Sequence, residues 1–202
     1  MLPLDISRHG AALHGLFAGD GEHWRHLPYG PFSDEAAFLA WLQATAALAD
    51  TVLYAVFAKD GERPLGFLAY RQIVAAHGAI EIGHVNFSRG LRRTRQATEA
   101  VYLLLHAAFE AGYRRCEWRC DALNEASARA AKRFGFQFEG RLRQAMVVKG
   151  RNRDTLLFSM LDSEWRRLKP AFQAYLADDN FSPDGRQLRP LGEYLEVDHV
   201  LA

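Results

Sequence analysis

The stretch Glu81-Ile-Gly-His-Val-Asn-Phe-Ser-Arg-Gly-Leu-Arg-Arg-Thr-Arg-Gln-Ala-Thr-Glu-Ala100 decides how the chain reads. It is a mostly apolar strand up to Phe87, then an arginine-dense loop, then the start of a helix. Ala97, Ala100, Val101, Leu104, Leu105 and Ala108 recur at helical spacing, and Gly112 stands at a C′ position. Free N–H groups at a helix N-terminus form an anion site. Arg92, Arg93 and Arg95 add guanidinium groups, which fit phosphate oxygens as a fork. Thr94, Gln96 and Thr98 add hydrogen-bonding side chains. Three cations there oppose the helix dipole by roughly 0.3–1 kcal/mol each, a cost that a bound pyrophosphate reverses. A solvated basic loop is the plainer alternative.

Upstream, residues 52–58, 65–74 and 79–88 read as three strands. Short turns at 59–62 and 75–78 make them antiparallel neighbours. Two helices precede them, over 6–18 and from an N-cap at Ser33 to about Leu48. Between these helices lies an aromatic, proline-rich connection over 23–32. Downstream come a strand over 115–121, a helix over 124–134 capped by Asn124, and extended segments over 136–138 and 142–149. A turn at 150–152 leads to a strand over 155–161. A helix from Ser163 to about Ala177 and a coil close the chain. This order predicts an α/β domain: one mixed, mostly antiparallel sheet with helices on both faces.

The chain has 202 residues, 49% hydrophobic and 24% charged, with 25 basic against 24 acidic side chains. That is globular composition, too apolar for a disordered chain. The balanced charge argues against a stable nucleic-acid partner and against a membrane partner. The beginning has no basic-then-apolar signal pattern, and no run is long enough to span a membrane. Cys116 and Cys120 lie on one strand, roughly 13 Å apart, too far for a disulfide. No further Cys/His pair stands at zinc spacing, so no metal is expected. A reduced, cytoplasmic protein is expected.

Strand, Arg-rich loop and helix are followed by Asn124-x-x-Ser127 and by Arg133-Phe-Gly-Phe-x-x-Glu-Gly140. In that order and spacing the chain resembles the GNAT acyltransferases. Within them it resembles the branch that acetylates the N-termini of ribosomal proteins (RimJ/RimL-like). The resemblance covers about residues 4–161. It implies a bacterial acetyltransferase domain over 1–162, with 163–202 as a helix and coil packed on it. It also implies acetyl-CoA as donor, coenzyme A as product, and an amine acceptor: a protein N-terminal α-amine or a small molecule.

The family's pyrophosphate loop reads Gln/Arg-x-x-Gly-x-Gly/Ala. Here Arg92 fills the first position and Ala97 the last, while Arg95 replaces the middle glycine. The expectation is that the loop opens slightly and the arginines themselves bind phosphate. The resemblance further implies pairing of the pantetheine arm with the strand at Val85 and Phe87. It implies a base eleven residues before the loop's first position, which is Glu81. The tyrosine that many relatives use to protonate the departing thiolate has no counterpart between Tyr113 and Tyr175. Ser127 carries that role over, with Cys120 and His84 as spare candidates. Asn124 is read both as a helix cap and as a coenzyme contact.

Elementary acid–base chemistry favours an α-amine acceptor. Neutralising a lysine-type amine (pKa ~10.4) at physiological pH costs about 4 kcal/mol, an α-amine (pKa ~7.8) well under ~1 kcal/mol. Trp24 and Tyr29, with His26 and Phe32, either line the acceptor entrance or pin the loop. Lys149, Arg151, Asn152 and Arg153 either form a solvated turn or meet an acidic or phosphate-bearing acceptor. Only Leu2-Pro3-Leu4 is left for an opening strand, so the neighbouring edge would need cover, a homodimer partner being one source. A non-catalytic coenzyme-binding or RNA-contacting module of the same fold is the alternative function.

Overall fold

The computed structural model describes residues 1–58, 61 and 63–197. A seven-stranded sheet forms the centre: β1 (Leu2–Pro3), β2 (Val52–Phe57), β3 (Pro64–Val74), β4 (Ala79–Phe87), β5 (Arg115–Asp121), β6 (Gln137–Val148) and β7 (Arg151–Leu161). Its spatial order is β1-β2-β3-β4-β5-β7-β6, and every pair is antiparallel except β4–β5. The helices are α1 (Ile6–Phe17), α2 (Glu35–Ala46), α3 (Arg95–Glu110), α4 (Glu125–Arg133), α5 (Asp162–Leu176) and α6 (Leu191–Val197). This is the mixed sheet expected from the sequence.

Two cores lie against the sheet. The smaller packs α1, α2 and the loop between them around Leu13, Phe17, Trp24, Phe38, Leu42 and Phe67. The larger joins α3 to β3–β5 through Leu68, Ile80, Ile82, Val101, Leu104 and Leu105. Trp165, Phe172 and Tyr175 of α5 are buried in that larger core. At roughly 1.5–3 kcal/mol for each large apolar side chain buried, they are a substantial part of it.

Several local expectations change. The α2 cap is Asp34, whose carboxylate accepts from the Ala37 amide at 2.8 Å, while Ser33 donates to Asp34. The extended segments around 136–149 are one strand, β6, whose register with β7 shifts twice. The segment after α5 is not all coil, because Leu191 anchors the short helix α6 in the core. The opening strand exists but is short, with Leu2 and Pro3 opposite Ala55 and Tyr54. Of the turn expected at 59–62, residues 59, 60 and 62 lie outside the described residues.

What positions the site is a disturbance in β4. Phe67 pairs with Asn86 but Ala69 with Gly83, so β4 carries one extra residue between them. His84 sits there with φ +48°, in a region that side-chain-bearing residues seldom adopt. β4 and β5 pair only from Ala79–Arg115 to Glu81–Glu117. Beyond that both strands continue unpaired with each other, to Phe87 and Asp121. The bulge bends β4 away and opens the sheet from within.

Candidate active site

A cavity of about 950 Å³ occupies the split. Its walls are the open ends of β4 and β5, the front of α3, the face of α4, the α1–α2 loop and the β6–β7 hairpin. Glu81, Val85, Phe87, Arg92, Arg93, Ala97, Thr98, Asn124, Ser127 and Tyr29 all border it.

Glu81 lies where the strands part. It is 1% exposed, and its Oε2 has no hydrogen-bond partner among the described residues. Arg71, its cross-strand partner on β3, approaches Oε1 at 3.6 Å, and Arg119 on β5 approaches Oε2 at 3.6 Å. Gly83 makes the first approach possible, because a Cβ there would meet the Arg71 side chain at 2.4 Å. Burial pushes the Glu81 carboxyl up to about 7, against the pull of the two arginines. A carboxyl so poised accepts a proton readily near neutral pH.

The opposite end is built for an anion. Thr94 caps α3 by accepting from the Ala97 amide at 3.2 Å. The amides of Arg95 and Gln96 make no hydrogen bond among the described residues. Arg92 and Arg93 are exposed at the rim, and Arg133 of α4 donates to Thr98 at 3.2 Å. Two helix amides without a partner among the described residues, beside Arg92 and Arg93 at the rim of the cavity, fit the pyrophosphate of coenzyme A.

Arg95 corrects the sequence reading. Its side chain leaves the loop, pairs with Asp178 at 2.7 Å, donates to the Leu176 carbonyl and lies over the Phe181 ring. The residue in the family's glycine position therefore serves the C-terminal segment, and only its backbone remains at the anion site. Thr94 is spent as a cap, and neither Thr94 nor Gln96 borders the cavity. Trp24 is corrected too. It is 3% exposed, packed against Phe17, Phe32 and Phe38, and pins the loop instead of facing the acceptor. Its carbonyl accepts from Lys149 at 2.6 Å, which ties the hairpin turn to the α1–α2 loop.

Asn124 caps α4 by accepting from the Ser127 amide at 3.0 Å while also bordering the cavity. Ser127 Oγ accepts the Trp118 indole N–H at 3.0 Å. That leaves its own proton for another acceptor. Cys120 also borders the cavity, but burial raises its thiol and keeps it protonated.

Sequence reasoning missed a polar chain through the β4 bulge. Arg92 donates to His23 Nδ1 at 2.6 Å. Arginine only donates, so His23 carries its proton on Nε2 and gives it to Asn86 Oδ1 at 2.9 Å. Asn86 then donates to the Tyr29 hydroxyl at 3.0 Å and to the His84 carbonyl at 2.9 Å. Tyr29, held protonated by burial, passes its hydrogen to His84 Nδ1 at 3.1 Å. Asn86, a fully buried amide between apolar neighbours, was the available signal.

The family pattern for the acetyltransferase (GNAT) domain matches residues 3–137. The chain belongs to the GNAT acetyltransferase family. Membership makes it an acyltransferase. A GCN5-related N-acetyltransferase from Brucella melitensis is 42% identical, with 96% of this chain and 89% of that chain covered and a TM-score of 0.92. A probable GNAT-family acetyltransferase from Chromobacterium violaceum is 73% identical over 81% of this chain and 83% of that chain, with a TM-score of 0.80. RimL, a ribosomal L7/L12 α-N-protein acetyltransferase solved in complex with coenzyme A, shares the fold at 20% identity. It covers 81% of this chain and 93% of its own, with a TM-score of 0.70.

Proposed function

We propose that this GNAT protein transfers an acetyl group from acetyl-CoA directly to the amine of its acceptor, with Glu81 as the base. The single observation that carries the reading is the buried Glu81 carboxyl, with one unpartnered oxygen, on the wall of a cavity whose far end is an anion-ready helix start. When bound, acetyl-CoA supplies an activated acyl carbon and a thiolate leaving group. Glu81 takes the proton that the amine loses as its nitrogen bonds to that carbon. Ser127 gives its hydroxyl proton as the C–S bond breaks, and the proton taken up by Glu81 returns through solvent to restore the Ser127 hydroxyl. Beyond Glu81 the β4 backbone has no β5 partner among the described residues, and an N–H on that open edge would suit the negative charge that develops on the carbonyl oxygen.

At the other end Arg92, Arg93 and the amides of Arg95 and Gln96 bind the pyrophosphate. Val85 and Phe87 line the arm, and Ala97, Thr98 and Asn124 complete its bed. Tyr29 borders the acceptor side. Coenzyme A bound to RimL supports acetyl-CoA as donor. An α-amine is favoured because a single carboxyl near pKa 7 can deprotonate it but is poorly matched to a lysine amine. The two buried, free cysteines suit a cytoplasmic setting.

The test is release of free thiol from acetyl-CoA over a panel of peptide α-amines and small amines. Amine-dependent release is expected. Micromolar coenzyme binding with no release for any amine would refute transfer.

A further inference from the structure

Arg153 stands apart from the other cations of the cavity. It projects from β7 into the acceptor end, bordered by Tyr29, Leu142, Ala145, Met146 and Thr155. Its Nε and Nη1 are buried and make no hydrogen bond among the described residues. Among the described residues no carboxylate lies within ion-pair distance of it. The neighbouring arginines are engaged: Arg71 with Glu81, and Arg119 with Glu117 at 2.6 Å and with Glu81. Asp154, next in sequence, points to the other face of the strand and is held by Arg141 and the Gln144 amide.

Buried polar groups are ordinarily satisfied, and buried charges more strictly so. Glu81 is engaged by Arg71 and Arg119, and Glu117 by Arg119 and by Arg115 at 2.8 Å, so the Arg153 charge is left unbalanced by any ion pair among the described residues. One carboxylate balances it, whereas a phosphate dianion overfills it. A guanidinium also matches a carboxylate through two parallel N–H donors.

We propose that Arg153 receives a carboxylate carried by the acceptor itself, on the same molecule as the amine that Glu81 deprotonates. The proposal rests on the acetyl-transfer reading of the cavity and names its acceptor class: an amine bearing a nearby carboxylate. Two sources share that chemistry, a free amino acid and an acidic residue next to a peptide N-terminus.

The experiment is calorimetric binding of matched amines to the protein saturated with coenzyme A, which prevents turnover. The pairs are alanine against alaninamide, Ser-Asp-Ala-amide against Ser-Asn-Ala-amide, and phosphoethanolamine against ethanolamine. Each pair is measured with the wild type and with Arg153→Gln. A carboxylate member is expected to bind about tenfold to hundredfold tighter than its neutral mate. The first or second pair identifies the source. In R153Q the preference vanishes, while the neutral mate stays within about twofold, a cycle that isolates the Arg153–carboxylate term.

Equal binding within every pair, a preference that survives in R153Q, or a preference confined to the phosphate pair would each overturn the proposal. Binding preference without acetyl transfer to any amine would refute the transfer reading alone. Transfer without preference would refute this inference alone. Ligand-free Arg153→Met provides a readout independent of ligands: removing an unpaired, half-buried charge should raise the melting temperature by about 2–4 °C. A lower melting temperature would mean that the guanidinium is already paired in the fold, and would also overturn the proposal.

Discussion

The coenzyme end and the acceptor end of the cavity are both rich in arginine, yet they use it differently. At the coenzyme end, Arg92 and Arg93 stand exposed at the rim of a helix start. At the acceptor end, Arg71 and Arg119 lie against the buried Glu81, and Arg153 Nε and Nη1 have no partner among the described residues. An exposed cation contributes local attraction that salt screens. A half-buried one resets the protonation of its neighbours and is costly to leave unpaired. The first end therefore tolerates departures from the family pattern, as Arg95 illustrates by turning to Asp178. The second end permits few.

The largest effect should come from the acceptor end. Glu81→Gln is expected to lower kcat/KM by about a hundredfold or more. In the wild type kcat/KM should rise with pH through about 7, because only ionised Glu81 accepts a proton and its carboxyl is raised to that range. An acceptor α-amine adds its own rise near ~7.8. That rise should remain in E81Q while the one near 7 disappears. A profile unchanged by the substitution would break the contrast.

At the coenzyme end, replacing Arg92 and Arg93 together by alanine should weaken coenzyme A binding about ten- to thirtyfold, judged from two charge-assisted contacts screened at the surface. The loss should shrink at high salt, and titrations at two ionic strengths check both statements. Ser127→Ala comes next. A lost proton donor to the thiolate should cost about tenfold in kcat, and the Trp118 indole, left without its acceptor, about 1 kcal/mol in stability by denaturant melts. Smallest of all, Arg95→Ala should leave coenzyme affinity within about twofold while lowering stability by under ~1 kcal/mol, since Asp178 is 95% exposed. A large affinity loss in that variant would return Arg95 to the phosphate site.

The same contrast explains what could be read in advance. Helix periodicity, the cap at Asn124 and the breaks at Gly112 and Gly135 are local signals, and they located α3 and α4. Glu81 was singled out by the family resemblance, eleven residues before Arg92, and a carboxylate between Ile80 and Ile82 is unusual strand material. The fate of Arg95 was not legible, because its partners Leu176, Asp178 and Phe181 lie more than eighty residues away. Arg153 read as one of a basic cluster that either forms a solvated turn or meets an acidic or phosphate-bearing acceptor, since nothing local separates it from Arg151. The two share a face of β7, and only their places along the hairpin, Arg151 opposite Val148 at the turn and Arg153 opposite Met146 beside the cavity, separate them. The relay from Arg92 through His23 and Asn86 to Tyr29 likewise joins residues far apart in sequence around a bulge.

The most direct test is calorimetric titration of acetyl-CoA into wild type, E81Q and the Arg92/Arg93 double variant. The account predicts wild-type affinity in E81Q, whose turnover is nearly abolished, and weakened binding in the double variant with turnover recoverable at high acetyl-CoA. Absence of binding to the wild type, or an E81Q variant that loses coenzyme affinity as fully as it loses rate, would contradict it.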